Sequence, residues 1–246
     1  MAKPIRNVFK QLLPPLLWGI GSQFKKFKNK NKKNYYSIHG LDKKIEEYLP
    51  HVDGFYVELG ANDGISQSNT LYFERYKNWK GVLVEPTPHN YLKCISNRSN
   101  TNHIACNACV SFDYKDRFVE IIFSNLLSSS LGLESDIRDP IAHTNFGKQF
   151  LENGEQIFRF GAVAKTLNTI LLESKAPQKI DFLSLDVEGA EIEVLKGIDH
   201  SYFRFQYMCI ECRDLEKLKN YLMQFEYELI ERLSDHDYLF RDVRPN

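Results

Sequence analysis

At 246 residues, 43% of them hydrophobic and 13% aromatic, the chain can bury one full core without a second domain. Its 32 basic and 32 acidic residues cancel, but unevenly: Met1 to Lys33 carries nine Lys or Arg and no acid, leaving 23 basic against 32 acidic residues behind it. A mildly acidic body excludes nucleic-acid binding by bulk charge, and five cysteines, an odd number in a chain this long, exclude a disulfide framework.

Residues 1–40 read as a basic, partly disordered arm and 41–246 as the folded domain. The arm's apolar patch, Leu12 to Ile20, contains Pro14 and Pro15 and falls well short of the roughly 20 apolar residues a bilayer span needs. Lys25, Lys26 and Lys28 follow where a signal peptide would offer a small-residue cleavage site. Two readings of the arm stay open. It is a solvated tail, or an interfacial anchor in which Trp18 and the leucines dip into a membrane surface while lysines meet anionic headgroups. Asn97-Arg98-Ser99 matches a glycosylation triplet, but nothing else speaks for secretion, and the expected location is cytoplasmic, with peripheral membrane contact through residues 1–33 as the anchor reading.

After the arm, Leu41, Ile45 and Leu49 share one face of a short amphipathic helix. Gly54 to Gly60 is an apolar run of strand formers closed by glycine. A helix is predicted from near Ser68 through Tyr76, then a strand at Gly81 to Val84. Thr87 and Pro88 occupy the N-cap and first helical position of a segment reaching about Asn97. His103 to Phe112 and Arg117 to Phe123 look like strands, and Asp113-Tyr114-Lys115-Asp116 between them predicts a hairpin. Ser128 to Ser130 would lie in the loop beyond it. Val163 to Ser174 has a helical pattern, Ile180 to Leu185 a buried-strand pattern, and Glu191 to Leu195 opens another helix. Tyr207 to Ile210 is a strand, Leu215 to Phe225 a helix, and Tyr227 to Ile230 with Tyr238 to Arg241 a closing hairpin. Strands alternating with helices predict an α/β fold, a mostly parallel sheet with helices on both faces.

The stretch Glu58-Leu59-Gly60-Ala61-Asn62-Asp63-Gly64 leaves a strand and leads toward a helix, the place where an open α/β sheet binds nucleotides. Asn62 replaces the middle glycine of the dinucleotide fingerprint, and Glu58 lies inside the strand. A pyrophosphate disfavours a nearby carboxylate, whereas the ammonium and sulfonium of S-adenosylmethionine welcome Glu58 and Asp63. Glu85 ends the next strand 21 residues after Gly64, the spacing of an acid that holds ribose hydroxyls. Glu58, Gly60, Asn62, Asp63, Gly64 and Glu85 are therefore the expected cofactor residues. Further on, Asp186 and Glu188 end the strand Ile180 to Leu185 beside the same site, while Glu191 suits the first turn of the following helix.

Taken together, Tyr56 to Gly64, Val84-Glu85-Pro86, Asn107-Ala108 with Val110, Thr166-Leu167, Ile180 to Glu191 and Val194 to Gly197 resemble the FkbM family of S-adenosylmethionine-dependent methyltransferases. The resemblance spans about Leu41 to Asp199, and Asp186-Val187-Glu188-Gly189-Ala190-Glu191 is its most specific part. It implies a Rossmann-like class I methyltransferase fold, a seven-stranded sheet with an antiparallel C-terminal hairpin, and O-methylation of a sugar, glycan or small-metabolite hydroxyl. Asn168 and Ser184 depart from residues common in that family. A hydroxyl acceptor must lose a proton, and Asp186, then Glu188, are the candidate bases. Two rivals stand beside this reading: an NAD-dependent oxidoreductase, and a catalytically silent methyltransferase fold recruited by the arm.

No metal site is expected. Cys106/Cys109 and Cys209/Cys212 are two Cys-x-x-Cys pairs, but they lie too far apart in sequence for a zinc motif and fall in strands that are not neighbours in the expected sheet. Single histidines such as His39, His89 and His143 show no ligand spacing.

Overall fold

The computed structural model describes residues 34–244, so the arm readings for 1–33 lie outside the described residues. In chain order these residues form helix α1 (Leu41–Tyr48), strand β1 (Phe55–Leu59), α2 (Leu71–Lys77), β2 (Lys80–Val84), α3 (Pro88–Asn97), β3 (His103–Ala105), β4 (Ala108–Cys109), β5 (Phe118–Phe123) and β6 (Ser129–Leu131). Then come α4 (Pro140–Phe146), β7 (Phe158–Lys165), α5 (Leu167–Glu173), β8 (Lys179–Leu185) and α6 (Glu191–Leu195). The chain closes with β9 (Arg204–Glu211), α7 (Leu215–Met223), β10 (Tyr227–Arg232) and β11 (Asp237–Asp242).

Successive strand residues point to opposite faces, so a strand buried at every position needs a layer on each side. The last four residues of β1, β2 and β8 are all buried, and both layers are present. Val57 and Leu59 face Leu167, Ile170, Leu195 and Leu222 of α5, α6 and α7. Tyr56 and Phe182 face Ile45, Tyr72, Phe73 and Cys94 of α1, α2 and α3. Each fully buried aliphatic or aromatic side chain in these layers contributes about 1.5–3 kcal/mol. The main sheet has seven strands in the order β10-β11-β9-β8-β1-β2-β3. Only β11 runs against its neighbours, so the sheet is mostly parallel with an antiparallel C-terminal hairpin, as expected. Residues from Tyr35 onward belong to this one unit. Tyr36 and Lys43 amides and the Ser37 hydroxyl donate to Asp42, while the Asp42 amide donates to Ser37 Oγ at 2.8 Å, which pins the entry to α1.

The middle of the chain departs from the sequence expectation. His103 to Phe112 is not one strand: it breaks at Cys106-Asn107, with β3 in the main sheet and β4 in a second. β5 does not pair back across Asp113–Asp116. Its partners are β7, antiparallel from Phe118↔Val163 to Phe123↔Phe158, and β6. The segment 163–165, expected to be helical, completes β7, and the helix begins only at Leu167, where Thr166 Oγ accepts the Thr169 amide at 3.2 Å. Ser128–Ser130, expected in a loop, flank and enter β6, with Ser129 buried. The result is a second sheet, β4-β7-β5-β6, with Val119, Ile121 and Ala162 in a core of its own.

Candidate active site

The carboxyl ends of β1, β2, β8 and β9 open into a cavity of about 430 Å³, a size typical of ligand pockets. Asn125 to Ser128, Ser130 and Phe150 roof it from the second sheet, and Ser234 to Asp237, before β11, wall one side. Glu58, Gly60, Asn62, Glu85, Asp186 and Glu188, all expected at the site, line this one cavity. Asp63 and Gly64 do not. The Asp63 carboxylate turns inward to accept the Ile65 and Ser66 amides at 2.8 and 2.7 Å, stiffening the loop. Gly64, at φ +81°, lies against Arg98: a Cβ there would meet Arg98 Cγ at 2.8 Å.

Gly60 is required by close approach. At φ +78°, a Cβ would fall 1.8 Å from the Asp186 carbonyl oxygen, so only glycine lets the β1 and β8 tips touch. The Gly60 and Ala61 amides both donate to Val84 O at 3.1 Å, tying the same turn to β2.

Glu58 has a different role from the one its charge suggests. Its carboxylate accepts from Ser68 Oγ, the Asn69 amide at 3.0 Å and Thr70 Oγ1 at 2.6 Å, and ion-pairs with Arg98 at 3.1 Å. Arg98, on the chain leaving α3, has a fully buried side chain and also donates to Glu74 at 2.8 Å and to the Tyr56 hydroxyl at 2.8 Å. The Glu58 charge is therefore met inside the protein, and the residue braces the loop from Ser68 to Thr70 that walls the cavity. Within that wall Asn69 donates to Ser184 Oγ at 3.0 Å, while its own Oδ1 is buried without a hydrogen-bond partner. That leaves an acceptor suited to a cationic donor such as an ammonium.

Glu85 is buried at the tip of β2. Its two oxygens accept the Asn62 and Thr87 amides at 2.9 and 2.8 Å. Burial raises its pKa against these bonds and one from the Thr87 side chain, which explains why Thr87 begins α3 without a side-chain cap bond. With three of its four lone-pair sites taken, the carboxylate keeps one for a ligand hydroxyl.

At the other end of the cavity three acids converge: Asp186, Glu188 and Glu211 bring carboxylate oxygens within 4.8 Å of one another. Glu188, at φ +55°, is held by His143 Nε2 at 2.7 Å and Arg213 at 3.1 Å. Asp186 is exposed to the cavity and has no Lys or Arg within salt-bridge distance among the described residues; desolvation by the strand tips that enclose it, then the charge of Glu211, pushes its pKa well above the ordinary carboxylate range. Burial likewise pushes Glu211 up to about 7. Glu191 begins α6 as expected, accepts the Val187 and Gly189 amides, and is pushed by burial up to about 8. Sequence reasoning did not find Arg98, Asn69, Glu211 or Arg213. Glu211 carries the one available signal: it ends an apolar strand run, as Glu85 and Asp186 do. The cysteines of the two Cys-x-x-Cys pairs are free thiols.

A seven-stranded sheet in this order with only its last strand reversed, a glycine turn at the first strand and acids at the tips of the strands beside it define a class I methyltransferase. The chain belongs to the FkbM methyltransferase domain family, which matches residues 58–240, and S-adenosylmethionine is its cofactor. It is 27% identical over 166 residues to the methyltransferase sdnD of Sordaria araneosa, a match covering 61% of this chain and 62% of that protein. Among solved structures it is similar to M. capricolum TrmK in complex with S-adenosyl-homocysteine, at 10% identity and a TM-score of 0.39 over 82% of this chain and 68% of that one. The N-terminal domain of human METTL16 is similar at 12% identity and a TM-score of 0.37, over 82% and 66%. No helix of the described residues is long and apolar enough to cross a membrane.

Proposed function

We propose that the chain transfers the methyl group of S-adenosylmethionine to a hydroxyl oxygen of an uncharged, polyhydroxylated acceptor, a glycan or a small metabolite. S-adenosylmethionine supplies a methyl carbon on a sulfonium, open to in-line attack by an oriented nucleophile. Asn69 and the Glu85 carboxylate are the groups that would hold its ammonium and its ribose hydroxyls. The observation that carries the reading is Asp186. It opens into the cavity, lacks a cationic partner among the described residues, and has a raised affinity for a proton, three properties that suit the acceptor of a hydroxyl proton. Glu188 is less available to an acceptor, because Arg213 and His143 already occupy one of its carboxylate oxygens.

The lining also favours a neutral acceptor. Among the described residues, seven acids, Asp235 and Asp237 included, face the cavity and no Lys or Arg does. A phosphate or carboxylate would approach against that charge, while sugar-like hydroxyls donate to it. Incubation with labelled S-adenosylmethionine and a panel of neutral glycans, small polyols, sugar phosphates and amines, read by mass, tests this. The label is expected on oxygen of a neutral member. Transfer to nitrogen, or to sugar phosphates in preference to their neutral counterparts, would overturn it.

A further inference from the structure

Strands β8 and β9 run parallel with Leu185 opposite Ile210, so the next residues, Asp186 and Glu211, stand side by side where the two strands end. Their carboxylate oxygens lie within 4.8 Å of one another, close enough for two like charges to repel strongly away from bulk water. A shared cation or a shared proton relieves such a pair. The groups around these two decide between them. Arg213 and His143 already meet the charge of Glu188, and Arg213 also lies 3.5 Å from Glu211. Glu191 at the start of α6 and Asp237 from β11 add negative charge, and no lysine among the described residues lines the cavity. Glu211 Oε2 is sealed from solvent, and the cation paired with it, Arg213 Nη1, stands 3.5 Å away, beyond a close hydrogen bond, so a carboxyl proton from the neighbouring Asp186 can still serve it.

We propose that Asp186 and Glu211 act as one acid that holds a single proton in the resting protein and releases it when the sulfonium enters, so that Asp186 is ionised only once the methyl donor is bound. The inference rests on the methyl-transfer reading above. Glu211 is a positioning residue: it acts through Asp186 by setting when Asp186 can take a proton. During transfer the acceptor O–H proton passes to Asp186, the oxygen–carbon bond forms as the carbon–sulfur bond breaks, and sulfur keeps the electron pair as a neutral thioether. The pair then again holds one proton, so each turnover restores the resting state. The pKa directions agree. Desolvation at the strand tips raises both groups, the charge of Glu211 then raises Asp186 well above the ordinary carboxylate range, and Glu211, raised to about 7, is lowered by its hydrogen bond with Asp186, as a pair that shares a proton requires.

Calorimetry at pH 8 in buffers of different ionisation enthalpy counts the protons released on binding. Wild type is expected to release close to one proton per site with S-adenosylmethionine and almost none with the uncharged-sulfur product, S-adenosylhomocysteine. Glu211→Gln and Asp186→Asn should each erase that difference, because a lone carboxylate beside an amide is already ionised or absent. Equal release by wild type and Glu211→Gln overturns the pair. So does stoichiometric Mg²⁺ binding by cofactor-free wild type that both variants lose, since the shared particle would then be a cation. Infrared difference spectra of the cofactor-free proteins at pH 8 give an arm independent of binding. A protonated carboxyl band present in wild type and missing from both variants supports the pair, and its persistence in both overturns it. Failure of wild type to bind S-adenosylmethionine at all would sink the methyl-transfer reading and leave the infrared result to decide the pair.

Discussion

The two ends of the cavity are built from the same residue type in opposite states. At the β1–β2 end, Glu58 and Glu85 each accept two or more hydrogen bonds, and Glu58 has a buried arginine as well. At the β8–β9 end Asp186 has no cation beside it among the described residues, and the charge of Glu211 adds to the same burial effect that raises Glu85. A carboxylate oriented by several fixed donors, with a lone pair to spare, is set in place, which suits holding a ligand. One that is short of partners binds a proton readily, which suits moving one. Partners, not residue identity, separate the holding end from the reacting end.

Removing Arg98 should break the contrast most severely. Arg98→Met strands Glu58 and Glu74 without their counter-ion, and breaking a buried pair from one side costs about 3–5 kcal/mol. For a chain of this size that lowers the melting temperature by roughly 6–20 °C. A thermal melt unchanged within 2 °C would show that Glu58 is not held as described. Next in size is Glu191, whose carboxyl sits 2% exposed against backbone amides with no counter-ion. Its folded pKa of about 8 lies above that of an unfolded glutamate, so the folded state keeps a proton that the unfolded chain gives up. Stability is therefore full below about pH 4.5, falls as pH rises toward 8 and then levels off, a change of roughly 3–5 kcal/mol. Glu191→Gln, neutral throughout and still able to accept an amide, should flatten that decline in melts taken at pH 5 and pH 8. An equal decline in both proteins would assign the pH dependence to other groups.

The main sheet was legible because its signals are local: apolar runs that end in glycine or an acid, separated by helical periodicity. The second sheet was not. β5 pairs with β7, some forty residues downstream, whereas Asp113–Asp116 offers a turn that makes a nearer pairing look natural. In 158–165 the leading residues alternate too weakly to mark a strand, and the helical period of Leu167 to Leu172 spreads backward over them. The site divides in the same way. Glycines and strand-tip acids could be read from spacing, but the residue that neutralises Glu58 lies forty positions away inside Asn97-Arg98-Ser99, a triplet that draws attention for another reason. Glu211 follows the strand-tip rule, yet only the β8–β9 register puts it beside Asp186. Where a charge is cancelled or shared depends on tertiary neighbours, which spacing does not encode.

The holding end can be sharpened at Glu85. A glutamine there keeps one acceptor oxygen and turns an NH₂ toward one of the two amides that Glu85 now receives. Losing a hydrogen bond to a charged group costs about 1.5–3 kcal/mol, so Glu85→Gln should weaken S-adenosylhomocysteine binding by roughly tenfold to a hundredfold in calorimetry. Unaltered affinity would remove Glu85 from the ribose role.

Asp63 supplies the matching control, with the smallest effect expected. It stands one residue from Asn62 and carries the same charge as Glu85, so a purely electrostatic account of the loop predicts a similar loss of cofactor affinity when it is neutralised. The geometry predicts otherwise. Its carboxylate is outside the cavity and serves the Ile65 and Ser66 amides, a turn that asparagine forms nearly as well. Asp63→Asn should therefore change S-adenosylhomocysteine affinity less than about twofold and stability by no more than about 0.5 kcal/mol. A loss as large as that of Glu85→Gln would mean that the field of the whole loop, rather than the contacts of individual carboxylates, holds the cofactor.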